Sequence, residues 1–246
     1  MDFKNKVIVV IGSEGLLGKA VATEIRRNEG TVISADVVLD TDISKDNFKI
    51  NIVDERSVEQ MIAEVLKKYH HIDGFVNNAY PKSDDYGHFS YEAEPVEMWT
   101  NSIHEHLLGF HICNKLILKQ MKSQGFGSIV NIGSIYGVVG PDFSIYEDEE
   151  LRFPSSYSMI KGGIINFTRF MASYYTRFGV RINCVSPGGI ANNQPETFLA
   201  NYSKKCLIGR LAQASEIAKP ICFLLSEDAS YIIGQNIIVD GGWTII

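Results

Sequence analysis

Short apolar runs alternate along the chain with longer stretches in which apolar residues recur at helical spacing. Val7–Ile11 is an unbroken β-branched run, which predicts a strand buried on both faces. Residues 54–70 instead carry apolar side chains three and four positions apart, which predicts an amphipathic helix. Because strand and helix alternate to the end of the chain, the pattern predicts an α/β fold, a doubly wound Rossmann-type parallel sheet of about seven strands with helices on both faces.

The predicted elements fill residues 1–246 as a single domain. Strands are predicted over 7–11, 31–35, 48–53, 73–79 (running into a turn), 128–132, 181–185 and 236–239. Helices are predicted from the turn after the first strand (12–18) to about 28, and over 54–70, 96–121, 155–178 and about 215–226. Three long loops, about 80–95, 137–154 and 187–210, are expected to hold a substrate, because ligands of such sheets bind beyond the carboxyl ends of the strands.

Composition narrows the choice of partners. A net charge of −6 and 21% charged residues give no reason to expect a nucleic-acid partner. No apolar run approaches the ~18 residues that a membrane helix needs, and the first residues lack the features of a signal peptide. Cys113, Cys184, Cys206 and Cys222 form no Cys-x-x-Cys pair, which favours free thiols in a reducing cytoplasm. We therefore expect a cytoplasmic protein that binds a small molecule and no membrane.

A glycine-rich turn follows the first predicted strand and leads into a predicted helix. It consists of Gly12, Ser13, Glu14, Gly15, Leu16, Leu17 and Gly18. Glycines in this context let backbone N–H groups approach the pyrophosphate of a dinucleotide at a helix N-terminus, whereas the alternative is an ordinary turn. Asp36 ends the second strand, where a carboxylate can bind both ribose hydroxyls of an adenosine and would repel a 2′-phosphate. NAD is therefore favoured over NADP as the cofactor.

Tyr157 and Lys161 are four positions apart in a predicted helix. This spacing places the two side chains on one face, one turn apart. A phenol beside an ammonium is expected to ionise more easily than its reference pKa of about 10 indicates. Such a phenol can act as a general acid or base near neutral pH.

Several motifs in this order resemble the short-chain dehydrogenase/reductase family, in its single-domain branch, over nearly the whole chain. They are the glycine loop, Asn77-Asn78-Ala79, Ser134, the pair Tyr157 and Lys161, Val185-Ser186-Pro187-Gly188 and Val239-Asp240-Gly241-Gly242. The Gly-Leu-Leu-Gly and Asn-Asn-Ala-Tyr-Pro segments are also similar to family members linked to bacterial surface-sugar synthesis. The resemblance, together with the apolar surface of helices 96–121 and 155–178, points to a homodimer or homotetramer.

The resemblance also implies roles for individual residues. Tyr157 would exchange a proton with the substrate oxygen, Lys161 would lower the pKa of that phenol and hold the nicotinamide ribose, and Ser134 would hydrogen-bond the substrate oxygen. Cofactor contacts are expected from Tyr157 and Lys161 as well, and further ones from Asn51, Ile52, Asn77, Ala79, Pro187, Gly188, Ile190 and Asn192.

Four features depart from the family pattern. The glycines are spaced Gly-x-x-Gly-x-x-Gly, and Tyr80 replaces the usual glycine after Asn-Asn-Ala, either as loop packing or as a substrate contact. His106 stands where a catalytic asparagine is usual, so we count it as a candidate catalytic residue in a proton relay, with a passive filler as the alternative. Ser134 and Tyr157 are 23 positions apart, which predicts an acidic insertion containing Glu147, Asp148, Glu149 and Glu150. Segment 141–154 is expected to be a lid that stands apart from the core.

The leading interpretation is an NAD-dependent oxidoreductase that interconverts a secondary alcohol and a ketone. The alternatives are an NAD-binding sensor or scaffold without catalysis, and a lyase or epimerase of the sugar-nucleotide branch, while an enoyl reductase would space its Tyr and Lys more widely. No metal site is predicted. Polar residues of the loops favour a polyhydroxylated or sugar-like substrate; they are Lys82, Ser83, Asp84, Asp85, Tyr86, His88, Asn192, Asn193 and Gln194.

Overall fold

The computed structural model describes residues 1–82, 87–146 and 153–246, and within them the chain forms a seven-stranded parallel sheet of order β3-β2-β1-β4-β5-β6-β7. The strands are β1 (Val7–Ile11), β2 (Thr31–Asp36), β3 (Asn47–Lys49), β4 (Gly74–Asn77), β5 (Gly127–Ile132), β6 (Val180–Pro187) and β7 (Asn236–Val239). The strand order reverses between β1 and β4, which is the point where such sheets bind ligands. The predicted fold class is therefore confirmed.

Helices cover both faces of this sheet. They are α1 (Leu16–Arg27), α2 (Glu55–Tyr69), α3 (Val96–Ser102), α4 (Gly109–Gln124), α5 (Ser155–Tyr175), α6 (Glu196–Lys205) and α7 (Ala214–Leu225). One apolar core lies between the sheet and α1 with α7, and it contains Ile25 and Ile221. The other lies beneath α2, α4 and α5 and contains Met61, Ile117 and Ile164. Within the described ranges, no helix is long and apolar enough to cross a membrane.

The predicted continuous helix over 96–121 is wrong at its centre. A π-helical turn over Ile103–Leu108 separates α3 from α4. The wider turn contains His106, and it ends at Gly109, where a Cβ would lie 2.6 Å from the side chain of Ile52. Close packing of the helix on Ile52 therefore requires glycine at this point. π-Turns are rare and concentrate at functional sites, and apolar spacing gives no signal for them.

Two other predicted boundaries are wrong. The third strand ends at Lys49 rather than at 53, because its partner strand β2 ends at Asp36, the residue paired with Lys49. The chain then turns, and the Asn51 side chain accepts a hydrogen bond from the Val53 N–H. The helix that begins at Ser155 ends at Tyr175 and continues only as a short 3₁₀ turn over Thr176–Phe178.

Two of the predicted loops contain more structure than expected. Residues 187–210 include the helix α6, which is anchored by the buried Tyr202. Segment 141–154 does not stand apart from the core, since Phe143–Tyr146 form a 3₁₀ turn whose Ile145 is buried and whose Tyr146 packs beside it. Apolar residues of that segment reach the core because Asp142 begins the turn by accepting hydrogen bonds from Ser144. Glu147, Asp148, Glu149 and Glu150 lie outside the described residues.

Candidate active site

A cleft of about 630 Å³ opens at the carboxyl ends of β1, β2 and β4. Nine of the predicted cofactor residues line it, namely Gly12, Glu14, Gly15, Leu16, Leu17, Asp36, Asn51, Ile52 and Ala79. Val37, Val38, Asn78, Tyr80, Pro81, Lys82 and Glu105 line it as well and were not predicted as cofactor residues. The two valines directly follow Asp36, so the sequence alone could have placed them beside the carboxylate that is expected to bind ribose.

The glycine loop forms a cradle that side chains would fill. Gly12 has a φ of +72°, and a Cβ there would lie 3.0 Å from the backbone of Ala79. A Cβ on Gly18 would lie 2.0 Å from the Gly12 carbonyl oxygen, so α1 can approach the loop only with glycine at this position. Gly15 precedes α1 and provides no side-chain cap. The first N–H groups of α1 therefore suit an anion, and this geometry fits the pyrophosphate of a dinucleotide.

Asp36 has a structural duty in addition to the predicted one. Its carboxylate accepts hydrogen bonds from the Glu14 N–H at 3.0 Å and from the Val38 N–H at 3.3 Å. These contacts tie the glycine loop to the end of β2 and hold the carboxylate at the cleft wall. A carboxylate accepts several hydrogen bonds at once, so ribose hydroxyls could be added to the existing partners.

Nine predicted cofactor residues do not line this cleft, including Tyr157 and Lys161, which lie beyond its end. Ser13 is buried within the loop, and Gly18 lies beneath it. Asn77 is also buried, and its amide donates to the Phe110 carbonyl oxygen at 3.2 Å, so this side chain serves the fold. Pro187, Gly188, Ile190 and Asn192 lie at the end of β6, two strands away from β4 in the sheet.

Ser134, Tyr157 and Lys161 come together as predicted. The Tyr157 phenol, in the first turn of α5, is hydrogen-bonded to the Ser134 hydroxyl. The Ser134 hydroxyl oxygen also accepts the Tyr136 N–H at 3.1 Å, which fixes it at the end of β5. The Lys161 amine lies 5.6 Å from the centroid of the Tyr157 ring and donates to the Ile132 carbonyl oxygen at 2.9 Å. The arrangement joins the end of β5 to one face of α5.

The expectation that the Tyr157 phenol ionises more easily than usual is wrong in this structure, because its surroundings together raise the pKa. Burial raises the pKa of the phenol, and the hydrogen bond from Ser134 opposes that effect. The Lys161 amine contributes no hydrogen bond to the phenol, since it donates to the Ile132 carbonyl instead. Burial also lowers the pKa of Lys161 to about 8, because the charged ammonium loses its hydration.

His106 is brought to the same site by the π-helical turn. Its side chain is 3% exposed and its ring centroid lies 5.0 Å from that of Tyr80. Burial, and secondly the charge of Lys161, hold the pKa of His106 well below its usual value. The imidazole is therefore neutral at physiological pH, as the sequence interpretation expected.

An aromatic cluster surrounds Tyr157 and was not predicted. Phe153 meets Tyr157 edge to face with centroids 4.9 Å apart, and it meets Tyr136 in the same way at 4.8 Å. Tyr146 and Phe198 extend the cluster towards α6, with centroids 5.4 Å apart. Phe153, Tyr146 and Phe198 are all partly exposed, so they form an aromatic wall beside the reacting phenol. Only the position of Phe153, four residues before Tyr157, hinted at this contact.

A chain of buried amides supports the site from below. Asn114 donates to the carbonyl oxygen of Phe110 and to the side chain of Asn131, which in turn donates to Thr168. The network links α4, β5 and α5 within the apolar core. Polar residues inside otherwise apolar segments were the available signal for it.

The remaining polar candidates have different fates. Ser83, Asp84, Asp85 and Tyr86 lie outside the described residues. The Gln194 amide is engaged within its own loop, where it donates to the Ile190 carbonyl oxygen and accepts from the Asn192 N–H. His88, Asn192 and Asn193 are exposed. The four cysteines are free and buried, as predicted.

Comparison with known proteins adds to this geometry. A family model described as enoyl-(acyl carrier protein) reductase matches residues 15–244. Post-translational flagellin modification protein A of Campylobacter coli is 33% identical over 252 aligned residues that cover 98% of each chain. Cis-4-hydroxycyclohexanecarboxylate dehydrogenase of Sinomonas cyclohexanicum is 31% identical and covers 99% of this chain and 98% of its own.

Solved structures include a short-chain dehydrogenase from Leptospira borgpetersenii with bound NAD⁺. It superposes with a TM-score of 0.89 at 29% identity and covers 99% of this chain and 94% of its own. The similarity therefore extends from the glycine loop through the final strand, over the whole of the sheet described above.

Proposed function

We infer that this chain, which belongs to the short-chain dehydrogenase/reductase family, is an NAD-dependent oxidoreductase that interconverts a secondary alcohol and a ketone. The observation that carries the proposal is the Tyr157 phenol, hydrogen-bonded to Ser134 and one helical turn from the buried Lys161. Its relatives include dehydrogenases and ketone reductases. Tyr80 lines the glycine-loop cleft and contacts Tyr157, which brings the reacting phenol to the end of that cleft.

The chain offers a binding group for each part of NAD. The N–H groups around Gly15 would hold the pyrophosphate, Asp36 would accept hydrogen bonds from the adenosine ribose, and Asn51 with Ile52 would border the adenine. Bound nicotinamide would supply the hydride chemistry. The Leptospira relative with bound NAD⁺ supports this choice.

Proton transfer is the task of the chain itself. Because burial raises the pKa of Tyr157, the phenol is protonated at neutral pH and is ready to donate to a ketone oxygen that gains negative charge. Ser134 would stabilise the same oxygen through a second hydrogen bond. In the direction of alcohol oxidation, the phenol must first release its proton, and a charged Lys161 beside it favours that release.

The proposed substrate is small and polar, and sugar-like. The similarity of the Gly-Leu-Leu-Gly and Asn-Asn-Ala-Tyr-Pro segments to family members linked to bacterial surface-sugar synthesis supports this class, and one relative is a post-translational flagellin modification protein of Campylobacter coli. The aromatic wall of Phe153, Tyr146 and Phe198 can cover the C–H face of a ring, while exposed Asn192 and Asn193 can meet its hydroxyl groups. Despite the description of the matching family model, the four-residue spacing of Tyr157 and Lys161 favours alcohol and ketone chemistry over enoyl reduction. A cytoplasmic location accompanies the proposal.

A direct assay tests the proposal. The purified protein is screened by thermal shift against sugars, sugar phosphates and polyols with NAD present, and each stabilising compound is then assayed by nicotinamide absorbance. We expect turnover with NAD or NADH on at least one of them. NAD binding without turnover on any stabilising compound would favour the alternative, a sensor or scaffold.

The cofactor preference is tested through Asp36. The Glu14 and Val38 N–H groups bond to different oxygens of Asp36, so Asp36→Asn keeps an acceptor for one of them and removes the charge, whereas Asp36→Ala removes both acceptors and the charge. We expect the alanine variant to weaken NAD by on the order of 1.5–3 kcal/mol for each hydrogen bond lost to the charged group, and the asparagine variant to gain NADP binding. Isothermal titration of both cofactors decides the matter. Tighter binding of NADP than NAD by the unmodified protein would contradict the assignment.

A further inference from the structure

Tyr80 lies at the junction between the cleft and the reacting groups. It follows Ala79 after β4 and lines the cleft, and its ring meets Tyr157 edge to face with centroids 5.3 Å apart. The ring also lies 5.0 Å from His106, and the Lys161 amine lies 5.5 Å from its centroid. No other residue in the described part of the chain is in ring contact with both Tyr157 and His106.

The surroundings of Lys161 explain why an aromatic face matters here. The amine is buried and donates to the Ile132 carbonyl oxygen. Among the residues that the structure describes, the titratable groups that act on it are His106 on the π-helical turn, Tyr157 on its own helix and Cys184 on β6, and none of these three is a carboxylate. His106 is neutral, and burial keeps the Cys184 thiol protonated by raising its pKa to about 11. Among the described residues, negative potential near the amine therefore comes from the Ile132 carbonyl oxygen and from the ring faces of Tyr80 and Tyr157. A ring face attracts a cation more strongly when water is excluded.

We propose that Tyr80 is a positioning residue of the reaction, whose ring holds Lys161 in its charged form and orients the Tyr157 phenol. This inference rests on the proposed function, because the charged lysine matters through the phenol and the nicotinamide ribose. Burial alone moves Lys161 towards the neutral amine, and the π face of Tyr80 opposes that movement. The ring also fills the space between His106 and Tyr157 and so keeps water from the ammonium.

A matched pair of substitutions at Tyr80 separates the effect of the aromatic π face from the effect of side-chain volume. Tyr80→Phe keeps the ring, and Tyr80→Leu keeps apolar bulk without a π face. In the ketone-reducing direction, the rate should fall as pH rises through the pKa of Lys161, because a neutral amine neither stabilises the ionised Tyr157 phenol nor holds the nicotinamide ribose as a charged donor. We expect Tyr80→Leu to move this basic limb down by about half a pH unit or more, as the loss of a desolvated cation–π contact predicts. Tyr80→Phe should keep the unmodified profile.

A second measurement makes the test independent of turnover. The affinity for NADH is titrated against pH in the same three proteins, since the charged Lys161 would hold the nicotinamide ribose. We expect the pH midpoint to shift down in Tyr80→Leu only. The melting temperatures of all three proteins are recorded as well. Equal pH midpoints in all three proteins would overturn the role of Tyr80. If Tyr80 is purely structural, its replacement by leucine should lower the melting temperature without moving the pH midpoint of the rate or of NADH affinity. An unmodified protein that binds NADH but reduces no ketone would instead overturn the proposed function.

Discussion

The Tyr157 phenol is protonated at neutral pH in this structure, since burial raises its pKa and the Ser134 hydrogen bond only partly offsets that effect. Burial has the opposite effect on the pKa of Lys161 and lowers it, because the charged ammonium is destabilised away from water. A charged lysine favours an ionised tyrosine, and a neutral lysine does not. The direction of proton transfer therefore depends on how strongly the surrounding side chains keep Lys161 charged.

Removing the phenol hydroxyl isolates the chemical role. Tyr157→Phe keeps the edge-to-face contacts with Phe153 and Tyr80, so the fold and the cleft should be unchanged. We expect turnover to fall by at least ~10²-fold, the lower part of the range for one acid–base group, while NAD affinity stays within about twofold. Steady-state kinetics measure the turnover, and calorimetric titration measures the NAD affinity. A variant that keeps more than a small fraction of the unmodified rate would exclude Tyr157 as the proton donor.

His106 provides a pH-dependent prediction. The folded protein holds it neutral, with its pKa well below the usual value, whereas the unfolded chain protonates it near pH 6.5. The unfolded state then binds more protons below that pH, so the free energy of unfolding should decrease as pH falls through about 6.5 towards the folded pKa. We expect His106→Asn to lose less stability than the unmodified protein between pH 8 and pH 5, measured by urea unfolding.

Two substitutions of His106 test whether it takes part in a proton relay. If His106 passes protons, His106→Asn should keep most of the rate and His106→Ala should lose about 10²-fold. If both variants match the rate and the pH profile of the unmodified protein, the imidazole is a passive filler of the π-helical turn.

Residue types and their order predicted which side chains meet at the candidate site, whereas burial decided how readily those side chains ionise. The glycine loop, Asp36, Ser134, Tyr157 and Lys161 each follow a strand end or occupy a helix position that spacing reveals. The raised pKa of Tyr157 could not be read from its spacing to Lys161, because it arises from side chains such as Phe153 that only the folded loops bring near. The contacts of Tyr80 were hidden for the same reason.

At the scale of elements, the substrate side is built by two segments that contact each other. Asp142 forms an ion pair with Lys205 at the end of α6, with 2.7 Å between the charged atoms. Tyr146 and Phe198 add a ring contact between the same segments. Neither α6 nor the burial of Ile145 was predicted, because both depend on packing between loops rather than on a periodic pattern. The two segments should therefore hold the substrate as one unit.

Breaking the ion pair tests this coupling. Lys205→Met removes the cation but leaves the Asp142 turn with Ser144 intact. Both side chains are partly exposed, so the free energy of unfolding should change by no more than about 1 kcal/mol. We expect KM for the substrate to rise severalfold with little change in kcat, while the adjacent Lys204→Met serves as the control. Equal KM values in both variants would show that the ion pair does not help to shape the substrate side.

At the scale of the whole molecule, α5 performs two tasks on two faces. Its inner face carries Lys161, Ile164 and Thr168 into the core. Its outer face exposes Met159, Phe170 and Tyr174, with Phe170 61% and Tyr174 43% exposed. Gly163 lies between Met159 and Phe170 and has open space where a Cβ would stand. An apolar stripe with a small residue suits close approach of another helix, and we expect this face to meet a second copy of the chain in a homodimer or homotetramer.

Charge on this stripe should separate the copies. Phe170→Glu places a carboxylate opposite its own symmetry mate if the interface is two-fold, so it should shift the protein towards monomer at micromolar concentration. Tyr91→Glu alters an exposed aromatic residue that is not part of α5 and should leave the assembly unchanged. Sedimentation velocity measures both. Because Tyr157 and Lys161 lie on the same helix, loss of the partner should also lower kcat in Phe170→Glu. An unmodified protein that sediments as a monomer would contradict the prediction, whatever the variants do.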